Sequence, residues 1–260
     1  PPRRGVTRPS LKLALLSDLH ANLPALDACL AHARVQGATH YAILGDIVGY
    51  GPHPSEVVER CRELQLQGAT VLRGNHDVLP VNPVLTGSTW ADMTAAWTFK
   101  HLDDLQREWL AQLPLTATLG SVFLVHATAD APEKWHYVMD ERLASRSLDA
   151  ASQDAAIRYV FGGHVHQQTL YYRGTGRQLM PFKPRAGVAI PVGPHRHWLA
   201  TVGSCGQPRD GDTRASYALL DLAANVLTFH RVAYDHLSVV RDMRVAGLPE
   251  VLATRLESGR

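Results

Sequence analysis

Three short apolar runs, each broken off by polar residues and separated by helical stripes, constrain this chain more than any other feature. Residues 11–16 read LKLALL and stop at Ser17-Asp18. Residues 41–44 read YAIL and stop at Gly45-Asp46, and residues 69–72 read ATVL and stop at Arg73-Gly74-Asn75-His76-Asp77. Runs this short suit strands that are covered on both faces. Between them, Leu26, Cys29, Leu30 and Ala33 form a helical stripe, with Pro24 near its first turn and Gly37 as its stop. A second stripe carries Val57, Val58, Cys61 and Leu64; Ser55 is its expected cap and Gly68 its end. Strands alternating with helices in this way predict right-handed parallel βαβ units.

The pattern then changes. Helical spacing returns over residues 89–111 with Trp90, Met93, Trp97, Leu102, Leu105 and Trp109, and the near-helical spacing of the tryptophans marks them as core. Residues 115–119 and 122–125 flank Gly120 and read as a hairpin that ends at His126. Residues 158–161 form a further strand that ends in Gly162-Gly163-His164. Short β segments follow at 169–172, 199–202, 217–220 and 226–232. The fold class predicted is α/β: one domain over residues 11–260, its first half parallel βαβ and its second half more antiparallel, preceded by an extended arm at residues 1–10. Residues 180–196 hold four prolines and two glycines. They are expected to form a long loop or loose hairpin, acting as a flap beside the cleft.

Composition narrows the function classes. The 260 residues carry a formal charge of +2, which gives no support to a broad polyanion-binding surface, so no specific nucleic-acid binding is expected. The three cysteines, Cys29, Cys61 and Cys205, are far apart and form no CxxC pair, which argues against a disulfide framework and a thiolate zinc site and for a cytoplasmic setting. No apolar run approaches the roughly 18 residues of a membrane span, so no membrane partner is expected. Histidine stands out: there are 14, several of them clustered with Asp, Asn and Gly, and histidine is the commonest metal ligand.

Five polar groups fall where an apolar strand ends: Asp18-Leu19-His20, Gly45-Asp46, Gly74-Asn75-His76-Asp77, His126, and Gly163-His164-Val165-His166. Open α/β sheets bind ligands beyond the carboxyl ends of their strands, so the five converge on one rim. Asp18 and His20 are two apart, as are His164 and His166; in extended backbone each such pair points to one side and can grip one metal. Four His, two Asp and one Asn are too many donors for one tetrahedral zinc. They suit two transition metals sharing a carboxylate, drawn from Mn, Fe, Ni, Zn or Co.

In this order, DxH, GD, GNHD, H and GHxH resemble the motifs of the calcineurin-like metallophosphoesterase superfamily. The flanking SDLHAN, GDIVGYGPHPSEV and GSCGQPRDGD look like its bacterial predicted-phosphodiesterase branch, related to enzymes of the diadenosine-tetraphosphatase type. The resemblance runs from residue 18 to 166 and is looser elsewhere. It implies a β-sandwich flanked by helices and two divalent metal ions, Mn favoured. It implies Asp18, His20 and His166 as ligands of the first metal, Asn75, His126 and His164 of the second, and Asp46 as the bridge. His76 resembles the family's catalytic histidine and Asp77 its orienting carboxylate. The expected activity is hydrolysis of a small or nucleotide-like phosphate ester by metal-bound hydroxide. Dinucleoside polyphosphate hydrolysis, phosphoprotein dephosphorylation and a non-catalytic metal-bound scaffold are the competing readings.

Several neighbours are open to two readings. Asn22 and Arg73 sit beside ligands and either touch phosphate or support the ligands. Tyr50 and His53 either line the pocket or pack. Ser204, Gln207 and Arg209 form either a substrate-side loop or a plain turn. His195 and His197 read as an exposed loop pair.

Overall fold

The computed structural model describes residues 11–83, 87–174 and 178–260, so the expected arm at residues 1–10 lies outside the described residues. The predicted βαβ half is present. Strand β1 (Lys12–Leu16) leads through helix α1 (Leu23–Val35) to β2 (His40–Ile43), and that through α2 (Pro54–Leu66) to β3 (Thr70–Val71). β1 pairs in parallel with β2, and β2 with β3. Pro54 opens α2 and the cap position falls to His53, which makes no side-chain cap bond. The expected cap, Ser55, is thus inside the first turn, displaced because proline there needs no amide partner and brings its φ preset.

A single turn, α3 (Asn75–Val78), follows β3 directly. The expected long helix is two: α4 (Trp90–His101) and α5 (Asp104–Gln112), each with its own capping box, Thr89 with Asp92 and Asp103 with Gln106. The second box supplies an alternative start that interrupts the stripe at Leu102. Trp90, predicted core, is 44% exposed. Then come β4 (Thr116–Leu119), β5 (Val122–Val125), α6 (Glu141–Ala151), β6 (Tyr159–Gly162), β7 (Gln168–Arg173), β8 (Leu179–Phe182), β9 (Ala189–Pro191), β10 (Trp198–Val202), β11 (Ala215–Asp221), β12 (Val226–Val232), α7 (His236–Val245) and α8 (Glu250–Ser258).

The strands build two six-stranded sheets, ordered β3-β2-β1-β11-β12-β9 and β4-β5-β6-β10-β7-β8. Side chains alternate across each strand. Leu13, Leu15, Leu44, Phe161, Leu124 and Phe229 fill the space between the sheets. Ala14, Leu16 and Ile43 face the opposite way, against the stripes of α1 and α2. Each such leucine contributes about 1.5–3 kcal/mol by leaving water. The outer face of the second sheet packs on α6 through Val125, Val160, Ala144 and Leu148. This is the two-sheet, helix-flanked α/β architecture, parallel in its first half and mainly antiparallel in its second.

Residues 180–196 do not form the expected flap beside the cleft. β8 pairs with β7 at the edge of one sheet and β9 with β12 at the edge of the other, so the segment closes the side of the sandwich. Its end reaches the far side from the strand-end His and Asp groups: Val192 donates its N–H to Asn225 and accepts the Tyr159 hydroxyl, at the opposite end of β6 from His164. Prolines suit it because edge strands need no second set of amide donors. Among the described residues no helix is long and apolar enough to cross a membrane, and the three cysteines are buried and free.

Candidate metal centre

The carboxyl ends of β1, β2, β3, β5 and β6 lie side by side, and the groups singled out from sequence meet there. Asp18, His20, Asp46, His126, His164 and His166 are all buried, each no more than 7% exposed. They fall into two groups whose donor atoms lie within 4.8 Å of one another: Asp18, His20 and His166, and Asp46, His126 and His164. Asn75 belongs with the second, its Oδ1 3.2 Å from His126 Nε2. Asp46 stands between them, Oδ2 being 3.4 Å from His126 Nε2 and 3.8 Å from His20 Nε2.

The spacing argument holds for Asp18 and His20 but not for His164 and His166, which divide between the two groups. Extended backbone is the wrong premise here: φ is +52° at Asp18, +45° at His20 and +65° at His164. Seven of the eight non-glycine residues with positive φ among the described residues, namely Asp18, His20, Ala21, Asp46, Tyr50, Trp135 and His164, border this site. Left-handed backbone costs such residues of order 1 kcal/mol or more each, and strain so concentrated marks a site where side-chain placement overrides backbone preference.

Each imidazole is oriented from behind by a backbone carbonyl. His20 Nδ1–H donates to Val48 (3.3 Å), His126 Nδ1–H to Leu44 (2.8 Å), His166 Nδ1–H to Gln207 (2.5 Å) and His164 Nε2–H to Trp135 (2.9 Å). A carbonyl can only accept, so the tautomers are set and the remaining nitrogens face inward. His20 Nε2 is then 3.3 Å from His166 Nε2, and His126 Nε2 is 3.2 Å from His164 Nδ1. Two lone pairs at that separation repel unless a proton or a cation lies between them. Asp18 Oδ1 is likewise buried without a hydrogen-bond partner among the described residues. Imidazole nitrogens and carboxylate oxygens, without thiolate, fit borderline divalent metals, and the fit holds for both groups.

The electrostatics agree. Burial alone would raise the Asp18 and Asp46 carboxyls, but the histidines around them, His166 for Asp18 and His126 for Asp46 foremost, hold both well below the usual carboxylate range. Burial pushes His20 down and takes His164 down to about 4, keeping both as neutral ligands. His126 moves the other way, up to about 9: burial opposes its charging, but the Asp46 carboxylate prevails, so a cation there would displace a proton.

His76 sits at the edge of the groups rather than in them. Its ring meets His20 edge-on at 5.1 Å and Tyr50 at 4.4 Å. Its Nδ1 side lies against Gly49, where a Cβ would approach to 2.8 Å. Asp77 does not orient it. Asp77 Oδ1 accepts the N–H groups of Ile47 and Val48, and Oδ2 accepts that of Gly74, so the carboxylate ties two strand-end loops together. The reason is local: Asp77 is the third residue of a helical turn and reaches back to the cap position.

Two expected phosphate contacts are also structural. Asn22 caps α1 by accepting the Ala25 N–H and donates to the Gly206 carbonyl and the Tyr234 hydroxyl. Arg73 donates to the Ala111 carbonyl at the end of α5. Tyr50, by contrast, lies over His20 and His76, as a pocket residue should. His53 turns away to Asp242 of α7. Ser204 and Gln207 belong to the frame: Ser204 Oγ donates to the Asp18 carbonyl and accepts the Gln207 N–H. Sequence reasoning missed Trp135 and Tyr137, which follow a single 3-10 turn at Pro132–Lys134 and carry no motif. The Tyr137 ring stacks on His164 at 3.8 Å.

Comparison with known proteins bears on this geometry. The chain is 31% identical over 257 residues to an uncharacterized protein of Methanocaldococcus jannaschii, covering 95% of this chain and 98% of that one. Its structure resembles that of a metallophosphoesterase from Sphaerobacter thermophilus, with a TM-score of 0.83 and 34% identity over 96% of this chain and all of the other. A hypothetical protein from Pyrococcus horikoshii shares the fold, with a TM-score of 0.75, 21% identity and coverage of 96% and 99%. The profile of the calcineurin-like phosphoesterase superfamily domain matches residues 11–225. With the fold, the two donor groups and these likenesses in agreement, the chain belongs to the calcineurin-like phosphoesterase superfamily.

Proposed function

We propose that this protein is a two-metal phosphodiesterase acting on a small or nucleotide-like phosphate ester. The observation that carries the reading is the pair of inward-facing donor groups with Asp46 between them. Asp18, His20 and His166 would hold one cation, Asn75, His126 and His164 the other, and Asp46 would serve both, Mn being the favoured metal. The chemistry that two such cations supply when bound is Lewis acidity toward phosphoryl oxygens and acidification of water.

The remaining work falls to the chain. The carbonyls of Val48, Leu44, Gln207 and Trp135 hold the imidazoles in the required tautomers. Burial of the two groups excludes bulk water. His76, beside the groups and with Nδ1 against Gly49, offers a proton from Nε2 to the leaving oxygen, which departs as an alkoxide that needs it.

The test is a substrate panel on protein loaded with Mn²⁺ or Ni²⁺: bis-p-nitrophenyl phosphate, p-nitrophenyl phosphate, diadenosine tetraphosphate and a phosphopeptide. The diester is expected to turn over fastest. Preference for diadenosine tetraphosphate or the phosphopeptide would replace the phosphodiesterase reading with one of its rivals. No turnover with either metal would favour a metal-bound scaffold.

A further inference from the structure

The rim of the metal centre holds groups that the donor geometry does not require. Gln207 holds His166 through its backbone carbonyl and holds Arg209 through its side chain, Oε1 accepting Nε–H at 3.1 Å and Nη2–H at 2.6 Å. These two bonds fix the plane of a partly exposed guanidinium, which lies 5.7 Å from the centre of the Tyr50 ring. Tyr50 rests in turn on His20 and His76. A cation is thus anchored at the mouth, one residue's length from an imidazole of the first donor group.

Tyr137 stands at the second group. Its ring lies on His164 at 3.8 Å and 18°, close to parallel, while the residue remains 50% exposed. One face is therefore covered and the other is open to solvent. Buried Val138 pins the segment next to it, and the Trp135 carbonyl two residues before holds His164. Arg209 thus stands at the first donor group, through Gln207 and His166, and Tyr137 at the second, on His164.

A fixed guanidinium suits phosphate oxygens, with which it forms charge-assisted, often bidentate hydrogen bonds. An exposed aromatic face suits a flat ring, and such stacking tolerates any base because every base presents a π-face. We infer that Arg209 and Tyr137 are the substrate-recognition pair of this site, Arg209 taking a phosphate oxygen and Tyr137 the face of a planar ring, so that the substrate is of nucleotide type. The inference rests on the phosphoester reading for the place of the phosphate. It goes further in assigning what lies beyond the reacting bond.

The experiment is calorimetric binding of thymidine 5′-monophosphate and of methyl phosphate to the Mn²⁺-loaded protein, with metal content measured in every variant. The wild type should bind the nucleotide about 10-fold tighter or more, the usual worth of one aromatic stack. Tyr137→Ala should remove most of that preference, and Tyr137→Phe should keep it. Arg209→Ala should weaken both ligands alike by about 10-fold or more, with Arg209→Lys recovering part, since a charged hydrogen bond to phosphate is lost. Equal wild-type binding of the two ligands would overturn the inference. So would a Tyr137→Ala protein that loses metal or weakens both ligands equally, because the ring would then only support His164. An Arg209→Ala protein that binds both ligands as the wild type does would overturn the arginine's part. Ring-dependent binding without hydrolysis of any ester would sink the phosphodiesterase reading and leave this one standing.

Discussion

Asp18 and His164 meet across 146 residues of chain, the Asp18 Oδ2 accepting the His164 backbone N–H at 2.9 Å. The contact joins the end of β1 in one sheet to the end of β6 in the other. It leaves Asp18 Oδ1 with no hydrogen bond, 3.2 Å from His166 Nε2. One carboxylate thus divides its oxygens between holding the frame and facing the candidate cation.

That division separates charge from architecture. Asn at position 18 can still accept the His164 N–H, so Asp18→Asn should keep stability within about 1 kcal/mol while turning an amide toward His166. Metal content should fall toward one ion per chain. Asp46 also uses Oδ1 for the frame, accepting the His76 N–H at 2.8 Å, but its Oδ2 faces both groups. Asp46→Asn should therefore lose both ions and nearly all activity while remaining folded. Elemental analysis alongside thermal unfolding decides. Two ions retained in Asp46→Asn would remove the bridge.

The junction has no room to spare at Gly163. A Cβ there would lie 1.8 Å from Ser17 Oγ and 2.5 Å from Asp18 Oδ2. Gly163→Ala must push β1's end away from β6's, which should cost about 1–3 kcal/mol, in the range of overpacked cores. Gly174→Ala is the control, because no atom among the described residues lies within 4 Å of its Cβ position. Denaturant unfolding of the two variants should differ by that amount; equal midpoints would show that the junction can yield.

These contacts also mark what the sequence could and could not reveal. Asp18, His20, Asp46, Asn75, His126, His164 and His166 were legible because each follows an apolar run, and strand ends of an α/β sheet gather at one rim. The division of His164 from His166 was legible only through the family resemblance and not from spacing, because it depends on a left-handed φ that no spacing rule encodes. Asn22, Arg73 and Asp77 misled by adjacency: next to a ligand in sequence, each turns its side chain back to backbone of a helix or loop. Helix α6 went unread because its buried stripe is mostly small, Ala144, Ser147, Leu148 and Ala151, and gives little apolar contrast. Tyr137 is placed only by tertiary structure, on a segment without motif.

Away from the metal centre, His230 should make stability depend on pH. Its ring stacks on Tyr217 at 4.8 Å and meets His32 edge-on at 5.0 Å, and its Nε2 is buried with no partner among the described residues. Burial first, and His32 second, push it down to about 4. The unfolded imidazole titrates near 6.5, so between about 6.5 and 4 the unfolded chain takes up a proton that the native one refuses. Stability should fall as pH drops through that window and level off below it. His230→Phe keeps the ring but not the proton, so its Tm should fall less than that of the wild type between pH 6.5 and 4. Parallel Tm profiles would show that His230 carries none of the slope.

The contacts of Asp77 and His76 predict that the two residues fail in different ways. Asp77 accepts three backbone N–H groups from Ile47, Val48 and Gly74, and none of its bonds reaches the His76 ring. Asp77→Asn leaves one oxygen for three donors and turns an amide toward a buried N–H. Orphaning a buried donor costs about 1–3 kcal/mol, so the thermal midpoint should fall clearly. The surviving folded protein should treat good and poor leaving groups in the same ratio as the wild type. His76→Ala should do the reverse. Both ions should stay, because His76 belongs to neither donor group. The rate on an ester with an alkoxide leaving group should drop by roughly 10²–10⁴-fold, the usual worth of general acid catalysis. An ester that releases p-nitrophenolate needs little protonation and should suffer much less. The ratio of the two losses, measured on metal-replete protein, is the deciding number. An equal loss on both esters would mean that His76 serves binding rather than proton transfer. A changed leaving-group ratio in Asp77→Asn would show that its carboxylate reaches the imidazole during turnover after all.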